Sequence, residues 1–172
     1  MPRMAVLADQ QRVGELIDQL AQRIGAEIAR AGGGDDWALV GIKSRGDVLA
    51  RRLAQRLDPK AVGGRVGSLD ITLYRDDLSE IGPQPVVRTT EIPFPIDRLN
   101  LVLVDDVLMT GRSVRAAIQS LIDFGRPRKI KLMVLVDRGG RELPIAPDFV
   151  GQRVNTEPEQ FAHAHTATVK EL

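Results

Sequence analysis

The 172-residue chain is 43% hydrophobic and 27% charged, with a formal net charge of +1 and no cysteine. That composition suits one soluble domain with a sizeable core; it excludes disulfides and cysteine-based metal sites, and near-neutrality argues against a generally basic nucleic-acid-binding protein, leaving only local basic patches. No apolar run approaches the ~20 residues of a membrane span, and the first residues, MPRMAVLADQQ, lack the apolar core of a secretory signal, so no membrane partner and a cytoplasmic location are expected.

Asp9 is a suitable helix N-cap, and Val13, Leu16, Ile17, Leu20, Ile24 and Ile28 then recur at helical spacing until Gly32-Gly33-Gly34. Trp37 to Ile42 is an apolar run of strand length. A second helix is predicted after Gly46, with Val48, Leu49, Leu53 and Leu57 inward and Pro59 as its stop. Val66 to Leu73 reads as a strand. From Tyr74 to Pro95 the pattern breaks into acidic residues, Gly82 and four prolines, a long excursion of the kind that in compact domains is a functional lid or disordered. Leu101 to Val104 is the next strand. Val114, Ala117, Ile118, Leu121 and Ile122 form one helix face, closed by Gly125 and Pro127. Ile130 to Val136 and Phe149 to Val154 are the last strands. Strands that alternate with helices and are apolar on both faces predict a parallel sheet covered on both sides. One domain, residues 1–156, is expected, followed by a polar tail, 157–172.

Within LVLVDDVLMTGRSV, from Leu101 to Val114, two aspartates stand at the end of an apolar strand, and a small-residue turn leads into a helix. Thr110 or Ser113 can cap that helix, and Gly111 allows a tight turn. Backbone N–H groups at a helix start attract phosphate. The segment therefore presents acceptors first and phosphate donors second, the layout of a sugar phosphate. Alternation along a strand lets the two carboxylates diverge, each toward a hydroxyl or a metal-bound sugar. The plainer alternative is that one aspartate only caps the helix. Acidic strand ends also occur in Mg-binding receiver domains and nucleotide hydrolases, which do not require this turn.

VLVDDVLMTGRSV (Val102–Val114) resembles the phosphoribosyl-diphosphate (PRPP) signature of the type I phosphoribosyltransferases. VGIKSRG (Val40–Gly46), LDITLYRDDL (Leu69–Leu78) and LVDRGGRELPI (Leu135–Ile145) resemble the PyrR type, pyrimidine-operon attenuation proteins that also act as uracil phosphoribosyltransferases. The likeness extends to about Thr156. It implies an α/β fold with a central, mostly parallel sheet flanked by helices, a mobile active-site loop and a small base-binding hood. The implied reaction joins uracil to PRPP, giving UMP and pyrophosphate, with Mg²⁺ carried by PRPP rather than by direct protein ligands.

Carried over residue by residue, Asp105 and Asp106 hold the ribose hydroxyls, and Val107, Leu108, Met109, Thr110, Gly111, Arg112 and Ser113 form the 5′-phosphate segment. Lys43, Ser44, Arg45 and Gly46 hold pyrophosphate, the cations offsetting its charge; an isolated KSRG would otherwise read as a solvated helix start. Tyr74 and Arg75 open the loop that closes over PRPP, excluding water and bringing Arg75 to the leaving group. Asp137 and Arg138 face the base, unless they pair with each other. Purine-type relatives place an acid just before the Thr-Gly; this chain has Met109, which cannot move a proton. His163 and His165 read as solvated.

The family's second activity is binding pyrimidine-operon leader RNA, through a basic face on a homodimer or larger homo-oligomer. Arg141 matches that face. Asp18, Gln22, Gly140, Ala146 and Gln152 depart from it, and lost phosphate contacts weaken RNA affinity. Arg51, Arg52 and Arg56, and Arg126, Arg128, Lys129 and Lys131, are further basic clusters that read as solvated faces. The alternative to the enzyme is an RNA-binding attenuator that keeps the fold as a nucleotide sensor with little catalysis.

Overall fold

The computed structural model describes residues 9–76 and 89–155. The expected tail at 157–172, with His163 and His165, and most of the expected mobile loop lie outside the described residues.

Helix α1 (Gln10–Arg30) starts where the Asp9 carboxylate accepts the Arg12 N–H at 2.8 Å. Its stripe of Val13, Leu16, Ile17, Leu20, Ile24 and Ile28 is buried, as the 3.6-residue period requires. Strand β1 (Trp37–Ile42) is buried at every position. Helix α2 (Gly46–Ala54) follows, shorter than expected; Leu57 lies beyond its end yet stays buried, while Val48 is only half-buried.

Strand β2 (Val66–Leu69) is also shorter than expected. The Asp70 carboxylate accepts the Thr72 N–H at 2.9 Å and its hydroxyl at 2.6 Å. That local bond turns the chain into a 3₁₀ turn, Thr72–Tyr74, in place of further strand. The chain returns at Glu91, which exchanges two backbone hydrogen bonds with Ser68 at 2.8 Å.

Strand β3 (Asn100–Leu108) runs four residues past the expected end, so both aspartates lie within it. Helix α3 (Arg112–Phe124) takes Gly111, at φ 91°, as its N-cap. The left-handed conformation at that position favours a residue without Cβ; the Thr110 hydroxyl, one residue before it, accepts the Arg112 N–H at 3.2 Å, and Ser113 lies within the helix. Strands β4 (Lys129–Asp137) and β5 (Phe149–Arg153) complete a five-stranded, all-parallel sheet in the order β2-β1-β3-β4-β5.

The helices cover both faces. Leu39, Val102, Val104, Met133 and Leu135 pack under α1 and α2; Ala38, Val40, Leu101, Leu103 and Val134 pack under α3. From β1 the chain crosses to β2 on one side, while β3 lies on the other. The carboxyl ends of β1 and β3 therefore flank a topological switch point, where open α/β sheets bind their ligands.

Candidate functional site

The turn after β1 is pressed against β3. A Cβ on Gly46 would stand 2.4 Å from the Val104 carbonyl oxygen, and one on Gly41 would stand 2.2 Å from the Gly46 carbonyl oxygen. Only glycine permits this approach. Arg45, at φ 87°, occupies the N-cap position of α2, its N–H held by the Asp47 carboxylate at 2.8 Å. The Arg45 guanidinium comes within 3.9 Å of Asp106. Lys43 points its ammonium at the Thr89 carbonyl, and Ser44 is exposed. Of the pyrophosphate candidates, Arg45 thus approaches Asp106 and Gly46 abuts β3.

Asp105 and Asp106 are 7% and 6% exposed. Each carboxylate accepts the N–H of the following residue, Asp105 from Asp106 at 2.9 Å and Asp106 from Val107 at 2.8 Å. Burial pushes the Asp105 carboxyl well above the usual carboxylate range, and the charge of Asp106 and a side-chain hydrogen bond to it add to the rise. The second Asp106 oxygen is buried with no hydrogen-bond partner. A buried acceptor left unpaired is costly and is the natural receiver for a hydroxyl or a hard cation.

Beyond the pair, Met109, Thr110, Arg112 and Ser113 line a cavity of about 280 Å³ together with Arg75 and Asp76. The first-turn N–H groups of α3 have no intrahelical partner, which makes this helix start an anion site. Arg112 is not idle there. It donates to Glu142 at 2.6 Å and to Asp76 at 2.8 Å. Arg115 also donates to Asp76, at 2.6 Å, and to the Tyr74 carbonyl at 2.8 Å. These hydrogen bonds with Arg112, partly offset by burial, hold the Asp76 carboxyl below its ordinary value.

Arg75 also lines the cavity. Tyr74 packs against the apolar cluster under α3. Its pKa is raised first by a hydrogen bond to Asp123, near the far end of α3 from the phosphate turn.

At the carboxyl end of the neighbouring strand, Asp137 terminates β4. One carboxylate oxygen accepts the Gly139 N–H at 3.0 Å, the other Arg141 at 2.7 Å. The Arg141 hydrogen bond, opposed by partial burial, lowers the Asp137 pKa, so the group stays ionised. Asp137 thus pairs with Arg141 rather than Arg138. Arg138 is 4% exposed, and burial lowers its pKa. Residues 139–148 are the candidate for the expected hood: the Glu142 and Leu143 N–H groups donate to the Thr110 carbonyl at 3.0 and 3.2 Å.

The sheet edge therefore gathers residues from four segments: 43–46, 74–76, 105–113 and 137–145. Asp76, Arg115 and Glu142 belong to this assembly; sequence reasoning passed over Arg115 and Glu142 and read Asp76 only as a residue that keeps the loop solvated. Their partners lie 30 or more residues away, at separations no local pattern encodes. Among the described residues no group of three or more His, Asp or Glu could hold a metal ion, and no helix is long and apolar enough to cross a membrane.

Comparison with known proteins places these observations. The phosphoribosyl transferase domain family matches residues 5–166. The protein named bifunctional protein PyrR from Roseiflexus sp. is 57% identical over 140 residues, covering 80% of this chain and 76% of the relative. The protein of the same name from Acetivibrio thermocellus is 49% identical over 155 residues, covering 88% and 82%. Among solved structures, a hypoxanthine phosphoribosyl transferase of Trypanosoma cruzi superposes with a TM-score of 0.70 at 20% identity, covering 88% of this chain and 78% of that one. That last likeness is one of fold.

Proposed function

The chain belongs to the phosphoribosyl transferase domain family, and from that premise we propose that it is a uracil phosphoribosyltransferase, converting uracil and PRPP to UMP and pyrophosphate. The observation that carries the reading is the juxtaposition at the switch point. A buried carboxylate pair faces the glycine-tightened turn after β1, and a cavity at the α3 N-terminus follows within a few residues.

In this reading Asp105 and Asp106 receive the ribose hydroxyls. The 5′-phosphate lies at the start of α3, against Thr110, Gly111 and Ser113. Pyrophosphate lies along Lys43, Ser44, Arg45 and Gly46. Uracil N1 bonds to the anomeric carbon as the carbon–oxygen bond to pyrophosphate breaks, with the electron pair leaving on pyrophosphate and the N1 proton lost. Positive charge grows on the sugar while the bond breaks, so a fixed carboxylate beside it stabilises the transition state more than the ground state.

Mg²⁺ carried by PRPP fits the donor set, because the Asp106 oxygen that lacks a hydrogen-bond partner is a buried acceptor suited to the sugar hydroxyls that would share the ion. When bound with PRPP, the ion would neutralise pyrophosphate as it departs.

Met109, partly exposed at the cavity, offers no proton acceptor beside the base. This favours a pyrimidine over a purine. Arg75 at the cavity is the candidate for charge on the leaving group. Asp137 and Arg138 remain the candidates for the uracil edge.

The test is UMP formation from uracil, PRPP and Mg²⁺, with hypoxanthine and guanine in parallel. Turnover with uracil at least ~100-fold above either purine is expected, a margin a site with matched polar groups can supply. No turnover with uracil alongside tight UMP binding would sink the enzyme and favour a nucleotide sensor.

A second activity is part of the proposal, since the relatives carry the name bifunctional. Regulation by binding pyrimidine-operon leader RNA, in the cytoplasm and as a homodimer or larger assembly, is the form it would take. RNA affinity should fall steeply with salt. Absence of leader binding even at low salt would refute it, and sedimentation would test the assembly.

A further inference from the structure

We propose that Arg141 is a positioning residue of the base subsite, which orients the Asp137 carboxylate and locks the hood to the phosphate turn. The inference rests on the uracil phosphoribosyltransferase reading above.

Three of the five N–H donors of the Arg141 guanidinium are bonded within the chain. Its Nε donates to the Ile145 carbonyl at 2.8 Å, one terminal nitrogen to the Met109 carbonyl at 3.1 Å and the other to Asp137 at 2.7 Å. The side chain is only 24% exposed. A planar fork is suited to holding several acceptors at fixed angles, and here the three acceptors come from three places: the hood, the end of β3 and the end of β4. An arginine kept for a phosphate in solution would leave its donors turned outward. This one is turned inward, with each nitrogen already bonded.

The fixed carboxylate has a chemical use. Asp137 is buried at the strand end, with Gly139 N–H on one oxygen and Arg141 on the other. The other cations near it are Arg153, whose Nε lies 4.0 Å away on a well-exposed side chain, and its chain neighbour Arg138. Arg141 is thus the close, direct partner, and it keeps the carboxylate both ionised and aimed. Its bond to Met109 adds a second consequence. The hood also holds the turn through the Glu142 and Leu143 N–H groups and the Arg112–Glu142 pair. The base and phosphate ends therefore shift together or not at all.

Arg141→Ala and Arg141→Gln test this through steady-state kinetics with uracil and PRPP varied separately, with thermal melting as a control for folding. The glutamine variant keeps an N–H donor and serves if the alanine variant does not fold. We expect KM for uracil to rise about tenfold or more and KM for PRPP by less, a split that reports lost ground-state positioning of the base. The acid limb of kcat/KM for uracil should also move to higher pH in Arg141→Gln, because Asp137 without its guanidinium binds a proton more readily. An active wild type whose glutamine variant keeps both KM values within about twofold and an unmoved acid limb would overturn the inference alone, and so would a change confined to RNA affinity. A wild type inactive toward uracil would overturn the parent reading, and this inference with it.

Discussion

Asp105→Asn should make the folded protein more stable while abolishing useful turnover. The wild-type carboxyl is buried beside Asp106, and burial together with that neighbouring charge raises its pKa well above the usual range. A carboxyl raised on folding must hold a proton, or bear an ill-solvated charge, that the unfolded chain does not. Unfolding therefore becomes progressively more favourable as pH rises from the ordinary carboxylate range toward the folded-state pKa. Each tenfold change in proton affinity is worth about 1.4 kcal/mol. Asparagine removes the titration but keeps the shape. Its oxygen can still accept the Asp106 N–H, a 2.9 Å bond in the wild type, and its amide can donate to the Asp106 carboxylate. Allowing for water entry and an imperfect amide fit, a gain of about 1–3 kcal/mol at pH 7–8 is expected. For a chain of this size that is roughly 3–10 °C in melting temperature. Differential scanning calorimetry from pH 4 to 8 reads it directly. The gap between variant and wild type should be smallest near pH 4 and widen upward. Asp137, whose pKa is lowered, carries the opposite linkage in both proteins and cancels in the comparison. A variant that melts at or below the wild-type temperature throughout pH 6–8 would refute the reasoning.

Three further outcomes follow from the same geometry. Asp106→Asn should lower kcat by about 10²–10³, the range for losing one preorganised charge at a reacting centre, with an unchanged circular dichroism spectrum; near wild-type activity would remove the pair from catalysis. Gly46→Ala places a methyl 2.4 Å from the Val104 carbonyl oxygen and should cost about 1–3 kcal/mol or more in denaturant unfolding; tolerance without loss of stability would mean that the turn after β1 can retreat from β3. Asp76→Ala should raise KM for PRPP with little change in melting temperature; an unchanged KM would show that the ties to Arg112 and Arg115 do not matter to binding.

The fold was legible because its strands and helices announce themselves locally. The α1 stripe, the wholly apolar β1 and the closing Gly125 need no tertiary knowledge. Errors fell where a side chain competes with the backbone ladder. Asp70 ends β2 by bonding Thr72, which a run of β-prone residues does not reveal. Asp105 and Asp106 looked like a strand terminus because charges are rarely buried, whereas β3 continues through them to Leu108. The candidate site was legible where its residues are contiguous, as in 43–46 and 105–113. Arg141 was read as an outward cation because neither Met109 nor Ile145 offers a side-chain acceptor in the sequence. Its actual partners there are backbone carbonyls.

The Asp76 prediction has a sign that needs argument, since two effects oppose. Arg112 is neutralised by Asp76 and Glu142, so deleting Asp76 frees positive charge for a polyanionic substrate. That effect alone would tighten binding. Its size is limited, because the pairs are partly exposed and such pairs are typically worth no more than about 1 kcal/mol, or roughly fivefold. Against it stands positioning. Asp76 holds two arginines of the first turn of α3 at once, and both Arg75 and Asp76 line the cavity. Misplacing such a segment by about 1 Å can cost on the order of 10²-fold. Lost positioning therefore outweighs freed charge, and the net change is weaker PRPP binding. Salt separates the two contributions: screening shrinks the electrostatic gain but not the lost geometry, so the KM ratio of variant to wild type should grow as ionic strength rises. A ratio that falls toward one with added salt would mean that charge, not position, is what Asp76 controls.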